Sequence, residues 1–344
     1  MSKGCLQQYK IKMESQQNNR TGGTNRVLEK LKASLEAGQF YEAHQMYRTL
    51  YFRYLGQQKY EELIALLMDG ALLFLEKDQQ TSGADLAILL LTVLQKANKQ
   101  ADDLKVELLS GLHQKMKPDL AERQTFLSNA LAWSGVNPAT NTTGHPDLHK
   151  AFAKTFWKEK NYPLARHHFL RSNDGGALGK LLVEQHIERG KEEELDFFIT
   201  QPVLQALCLR NIEVANDCFQ KYVATHPQVQ RSGSVFRLPL LNFTFMLLES
   251  LNMRRKDSFE VLIEQYKPAL EVDPSFKSYL EKIGNLYFDI PSRREQGGGI
   301  LGMIQSLLGE SSATGSAETR SNQQPLATEP SPIPRPTLQP DDLD

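Results

Sequence analysis

The sequence is short of the features that usually announce chemistry. Three cysteines in 344 residues, Cys5, Cys208 and Cys218, are too few and too widely spaced for a zinc motif or a disulfide framework, which fits a reducing compartment. Cys208 and Cys218 sit among apolar residues and read as core. Net charge is lacking as well: 40 Lys+Arg against 41 Asp+Glu leaves −1, which argues against a general nucleic-acid or membrane-surface binder. No apolar run exceeds six residues, as at 86–91, whereas a membrane span needs ~20. The first 20 residues are polar and carry no signal-peptide stretch. Together these absences make a soluble, cytosolic protein the expectation.

What the chain does have is helix after helix. Gly38-Gln39-Phe40-Tyr41-Glu42-Ala43 opens one, the 56–62 segment closes it and opens another, and Thr81-Ser82-Gly83 punctuates a third. Helices joined by such short turns lie antiparallel to their neighbours. The middle one, about 60–75, is apolar on nearly every side through Leu63, Ile64, Leu66, Leu67, Met68, Leu72, Leu73 and Phe74, so it needs neighbours on at least two faces. Stacked helical hairpins satisfy that demand, and their usual product is a binding surface. Thirteen or fourteen helices are expected over 25–291.

Boundary signals support this reading. Ser82-x-x-Asp85 and Asp119-x-x-Glu122 have capping-box spacing, and Pro146, Pro163 and Pro274 stand where a first helical turn tolerates proline, the last after Asp273. The turn at 38–43 recurs loosely at 160–165, a degenerate repeat of the tetratricopeptide kind. One stretch breaks the rhythm: 226–239, with a central Ser-Gly-Ser and alternating flanks, reads as a short β-hairpin, an irregular loop being the alternative. Residues 1–24 are Gln/Asn/Gly-rich without periodicity. Residues 310–344 hold six of the 16 prolines, with six acidic against two basic residues. Both tails are expected to be disordered.

Chemical motifs are weak. His145 and His149 are four apart, but the glutamate of His-Glu-x-x-His is missing and Pro146 follows the first histidine. His167 and His168 point in different directions on a helix. Gly297-Gly298-Gly299 is followed by no Gly-Lys-Ser/Thr and reads as a joint. No nucleophile has a recognisable signature, so no catalytic residue, metal or cofactor is expected.

Two segments look like binding surfaces. Residues 41–54 carry five aromatics and two arginines, the residue types that dominate interface energetics. Tyr47, Leu50, Tyr51 and Tyr54 are assigned to the core, with Tyr41, His44, Arg48, Phe52 and Arg53 facing a partner. The second is 235–245, too apolar for a solvated loop. Val235, Phe236, Leu238, Pro239, Leu240, Asn242 and Phe243 are its candidate contacts, and the segment either packs back on its own chain or is covered by another. Further on, Ile300, Met303, Ile304, Leu307 and Leu308 share one helical face of a segment too short to stand alone in water. It should dock, on its own chain or on a partner.

Several strings resemble the Golgi-to-ER traffic protein four family, factor four of the guided-entry pathway for tail-anchored membrane proteins. They are Tyr-Glu-Ala-His-Gln-Met-Tyr-Arg-Thr-Leu-Tyr-Phe-Arg-Tyr (41–54), Asp-Gly-Ala-Leu-Leu-Phe (69–74), Ser-Gly-Ala-Asp-Leu (82–86), Gly-His-Pro-Asp-Leu-His (144–149), Trp-Lys-Glu-Lys-Asn-Tyr (157–162), Pro-Leu-Leu-Asn-Phe (239–243) and Gly-Gly-Gly-Ile-Leu-Gly (297–302). The resemblance runs in order over about 25–309. It implies an all-α, right-handed α-solenoid of TPR-like antiparallel helix pairs with one short β-hairpin, and an adaptor in place of an enzyme. It also implies partners: the targeting ATPase for tail-anchored proteins on the N-terminal half, and a BAG-type chaperone scaffold or a ubiquitin-like protein on the C-terminal half. The expected organisation is a tail (1–24), an ATPase-side half (25–160), a partner-side half (161–291) with its hairpin near 228–239, a Gly-rich joint and docking segment (292–309) and an acidic tail (310–344). The alternative, a helical-repeat subunit of a protease-lid or signalosome-like assembly, expects a winged-helix domain after the solenoid, for which the sequence leaves no room.

Overall fold

A computed structural model describes residues 22–137, 142–232 and 235–291. They belong to one compact unit that ends at Arg293, within which the two expected halves are continuous. The second unit, Arg294–Asp344, lies outside the described residues, and with it the expected docking segment and acidic tail. Of the expected N-terminal tail, 1–21 also lies outside, whereas 22–24 already belong to the first helix.

The first six helices are α1 (Gly22–Glu36), α2 (Phe40–Gly56), α3 (Tyr60–Glu76), α4 (Gln80–Lys96), α5 (Asp103–Lys115) and α6 (Ala121–Trp133). A hairpin of β1 (Val136–Asn137) and β2 (Thr142–Thr143) follows. Next come α7 (Pro146–Lys158), α8 (Tyr162–Phe169), α9 (Gly175–Arg189), a 3-10 turn (Glu192–Glu194), α10 (Leu195–Cys208) and α11 (Ile212–Thr225). A second hairpin, β3 (Arg231–Ser232) with β4 (Val235–Phe236), precedes α12 (Pro239–Asn252), α13 (Lys256–Gln265), α14 (Lys267–Leu270) and α15 (Pro274–Phe288). The described residues therefore hold 15 α-helices and two hairpins where the sequence led us to expect one hairpin. Helices pack on their sequence neighbours (α3 on α4, α7 on α8, α10 on α11) and on the next but one (α4 on α6, α5 on α7, α9 on α11, α10 on α12). This is the contact pattern of an α-solenoid.

One turn geometry builds six of the connections. Gly38, Gln58, Asp78, Lys160, Arg210 and Arg254 are left-handed, with φ from 54° to 72°. In each case the following N–H (Gln39, Lys59, Gln79, Asn161, Asn211, Arg255) reaches back to the carbonyl five residues earlier, at 2.8–3.0 Å. This Schellman closure satisfies the carbonyls at the helix end, and a new helix begins at the next residue. Helices α2, α3 and α4 are each 17 residues long, so the left-handed residues at 38, 58 and 78 recur every 20. Five positions beyond the turn residue, Ala43, Ala165 and Ala215 are fully buried against the preceding helix. The repeat legible at 38–43 and 160–165 is thus a repeat of this turn.

Two expected caps are displaced, the first because the turn at Asp78 already sets where α4 starts. Ser82 lies inside α4, whose N-cap is Gln79, and α6 is capped at Leu120 and not at Asp119. The proline signals hold: Pro146, Pro163 and Pro274 all lie in first turns, and Asp273 accepts from the Ser275 N–H at 2.8 Å.

Close helix approach depends on small residues. A Cβ at Gly175 would lie 2.5 Å from the Val214 carbonyl oxygen, and one at Gly179 would lie 2.7 Å from that of Cys218. Two glycines one turn apart on α9 therefore let the α11 backbone come directly against it.

Candidate partner-binding surfaces

Helix α2 divides as its heptad pattern requires. Ala43, Tyr47, Leu50, Tyr51 and Tyr54 are buried. Tyr41 (77% exposed) and Phe52 (64% exposed) point outward, with Arg48 and Arg53 also exposed. Tyr41, Gln45, Arg48 and Phe52 follow one another at steps of four, three and four, which places them in a single outward stripe. Covering the Phe52 ring with a partner would contribute ~1.5–3 kcal/mol. His44 departs from the expectation that it faces outward unengaged. It is half-buried, its Nε2 is 2.8 Å from Oδ2 of Asp85 on α4, and its ring stands edge-on to Phe74 at 6.1 Å. Arg48 Nη1 lies 3.6 Å from the same Asp85 oxygen. Asp85 therefore anchors the stripe from behind, a role that the local sequence of α2 does not reveal.

The 235–245 segment packs largely on its own chain. Phe236, Leu240, Asn242 and Phe243 are buried, so for these four the first of the two alternatives holds and they pack back on their own chain. The Phe236 N–H donates to Asn242 Oδ1 at 2.7 Å, and Asn242 Nδ2 donates to the carbonyls of Phe236 (2.7 Å) and Leu238 (3.3 Å). Asn242 thus clamps the hairpin exit onto the start of α12. The rings of Phe219, Phe236 and Phe245 form a triangle with centroid separations of 6.0, 6.4 and 6.5 Å. Of the expected contacts, Val235 and Pro239 are exposed and Leu238 is half-buried. Sequence reasoning missed the rest of the exposed apolar surface: Phe245, Met246 and, just past α12, Met253. The signal was there in the spacing of 245, 246, 249 and 253, which share an outer face. An exposed cluster of large apolar side chains marks an interaction surface more often than chance exposure does.

The remaining motifs resolve structurally. His145 caps α7, its Nδ1 accepting from the Asp147 N–H at 3.3 Å, while His149 turns inward to Thr143 O at 2.7 Å and His168 at 2.9 Å. The two therefore do not converge, and among the described residues no group of three or more His, Cys, Asp or Glu is placed to hold a metal. His167 is exposed and His168 buried. Cys208 and Cys218 are buried free thiols, and burial pushes the Cys208 thiol up to about 11. Cys5 and Gly297–Gly299 lie outside the described residues. No described helix is long and apolar enough to cross a membrane.

Stacked helix pairs, two outward-facing aromatic or apolar surfaces and a continuous core define a helical-repeat protein of the α-solenoid class. The sequence profile of the Golgi to ER traffic protein 4 family matches residues 57–308. Among curated relatives, the Golgi to ER traffic protein 4 homolog of Homo sapiens is 43% identical over 321 residues, covering 91% of this chain and 97% of that one. The homolog of Oryzias latipes is 45% identical over 290 residues, covering 84% and 89%. A crystal structure of C. therm. Get4 superposes with a TM-score of 0.71 at 25% identity, covering 88% of this chain and 99% of that one. The chain belongs to the Golgi to ER traffic protein 4 family.

Proposed function

We propose that the chain is a cytosolic, non-enzymatic adaptor for post-translational delivery of tail-anchored membrane proteins to the endoplasmic reticulum. Family membership carries this reading. It is supported by two separate exposed surfaces, on α2 and on α12 with its hairpin, which a bridge between two partners requires. The stripe of Tyr41, Gln45, Arg48 and Phe52, positioned by His44 and Asp85 and flanked by Arg53, receives the targeting ATPase. The apolar patch of Val235, Phe245, Met246 and Met253, with Leu238 and Pro239 at its edge, receives a co-chaperone scaffold. That co-chaperone is a BAG-type scaffold or a ubiquitin-like protein.

The mechanism needs no bond chemistry. A folded platform that holds the client donor and the ATPase together raises the effective concentration of one for the other. It also biases the ATPase toward whichever nucleotide state it binds better. The test is reconstitution with purified ATPase and scaffold fragment. Arg48→Glu should weaken ATPase binding at least tenfold and leave scaffold binding and helicity unchanged. Equal loss of both, or no loss of either, would overturn the assignment of α2.

A further inference from the structure

A recess between α8, α10 and α15, of about 370 Å³, plays no part in the bridging reading. Arg166, His167, Arg171, Gln205 and Tyr279 supply its polar lining, Pro163, Leu170 and Leu209 supply apolar wall, and among the described residues no carboxylate lines it. Its two guanidiniums are half-buried with weak or neutral partners only. Arg166 Nη1 meets Gln201 Oε1 at 3.4 Å, and Arg171 Nη1 donates to the His167 carbonyl at 2.9 Å and lies 3.1 Å from His167 Nδ1. The contrast with Arg123 is direct: that buried guanidinium is forked onto Glu159 at 2.6 and 3.0 Å. Tyr279 completes the set. Its hydroxyl accepts from Gln205 Nε2 at 3.2 Å, so its own proton remains to donate.

Burial depresses the basicity of Arg166 and Arg171, the mark of positive charge moved out of water without a counter-ion. Burial, then the Arg171 charge, also lowers the His167 pKa, which keeps that ring neutral beside the two cations. The recess thus offers two fixed cations and a hydroxyl donor, and lacks an anionic acceptor. Paired guanidinium forks suit a planar oxyanion. The apolar wall beside the two cations suits an anion attached to an aliphatic group better than it suits free phosphate.

We propose that this cleft is a binding site for an acidic peptide segment, in which Arg166 and Arg171 take a side-chain carboxylate, Tyr279 donates a further hydrogen bond, and Pro163, Leu170 and Leu209 cover a neighbouring aliphatic residue. The site is distinct from the α2 and α12 surfaces and stands whether or not these bind the partners assigned above.

The test uses the full chain and three probes: N-acetyl-Leu-Glu-Leu-amide, its Leu-Gln-Leu counterpart and inorganic phosphate. The readouts are the guanidinium Nε–H signals of Arg166 and Arg171 by NMR and the thermal midpoint. The glutamate peptide should shift both signals saturably and raise the midpoint, with the glutamine peptide at least tenfold weaker, as expected for loss of a charge-assisted pair. Arg171→Gln should abolish the response and Arg171→Lys should retain part of it. Should the variants fail to fold, the comparison of the two peptides on the unaltered chain decides alone. No saturable shift, or equal affinity for both peptides, overturns the proposal. Phosphate binding more tightly than the glutamate peptide overturns the peptide assignment in favour of a small-anion site.

Discussion

Nδ1 of His149 lies 2.9 Å from Nδ1 of His168, and both rings are buried. The partners fix the tautomers. His149 Nε2 is 2.7 Å from the Thr143 carbonyl and must donate to it, so its Nδ1 is bare and accepts from His168. His186 and His226 repeat the arrangement: His186 Nε2 donates to Lys191 O at 2.7 Å, and its Nδ1 accepts from His226 Nε2 at 2.9 Å. The hydrogen bond within the His149–His168 pair holds only while the accepting His149 ring is neutral.

The first expected outcome is therefore acid lability in a defined window. Burial pushes His149 and His226 down to about 4, His113 to about 3, and His168 well below the ordinary value. The unfolded chain takes up these protons near 6.5. Stability contributed by the four rings is thus complete above pH ~6.5 and declines as pH falls toward ~4, by up to ~1.4 kcal/mol per pH unit for a ring such as His149. Urea midpoints at pH 7.5, 6.0 and 5.0 check this. A midpoint that does not fall over that range would exclude it.

His113 is fully buried between Phe152 and Phe156, with ring centroids 4.6 and 5.3 Å away, and neither ring nitrogen has a hydrogen-bond partner among the described residues. Removing two unmet polar atoms from a site that already accepts an aromatic ring should stabilise the chain. His113→Phe is expected to add ~1–2 kcal/mol at pH 7 and to flatten the acid dependence by one titrating group. A loss of stability would mean that the phenyl ring does not fit or that a bound water serves the imidazole.

Gln58 stands in the left-handed region at φ 57°, exposed, at the end of α2. Glycine adopts that conformation without the Cβ penalty, so Gln58→Gly should stabilise by about 0.5–1 kcal/mol, read from the thermal midpoint. Glycine in place of Gln45, exposed in the interior of α2, would destabilise instead.

Gly179 offers the opposite case. Its would-be Cβ meets the Cys218 carbonyl oxygen at 2.7 Å and the Tyr222 amide nitrogen at 3.1 Å, both backbone atoms that cannot swing aside. Gly179→Ala should cost about 2–3 kcal/mol despite the better helix propensity of alanine. A neutral effect would show that α9 and α11 slide apart freely.

At the scaffold-side surface, Phe245→Asp combined with Val235→Asp should abolish capture of the scaffold fragment while leaving ATPase binding within about twofold. Both side chains are exposed, so circular dichroism should be unchanged. Intact scaffold capture would remove this patch from the interface.

The architecture was legible because α-helical periodicity is local information. Tyr47, Leu50, Tyr51 and Tyr54 could be assigned to the interior from spacing alone. What spacing cannot supply is a partner far along the chain: Asp85, 41 residues from His44, decides that this histidine faces inward toward α4. The same limit explains the 235–245 segment. Its apolar density was visible, but which side chains turn in depends on Phe219 and Asp196, whose carboxylate accepts from the Leu240 N–H at 3.2 Å. The first hairpin went unread because its two-residue strands, Val136–Asn137 and Thr142–Thr143, show no alternation long enough to register. The Ser82 signal misled because the Schellman turn at Asp78 had already fixed where α4 begins; Asp119 misled because α6 starts one residue later, after extended Leu120.

The shared turn makes the chain a phase-locked device. Each helix that follows such a turn inherits its rotational setting from the one before, through a connection with no slack residue to absorb an error. Deleting one residue inside α3 would rotate the downstream helices by about 100° about the helix axis. His44 and Asp85 would then no longer meet, and the strain would pass to the next junction. Length changes within these helices are therefore tolerable only in whole turns. The freedom to vary lies at the hairpins and at connections such as 97–102 and 116–120, where no helix begins directly after a left-handed turn.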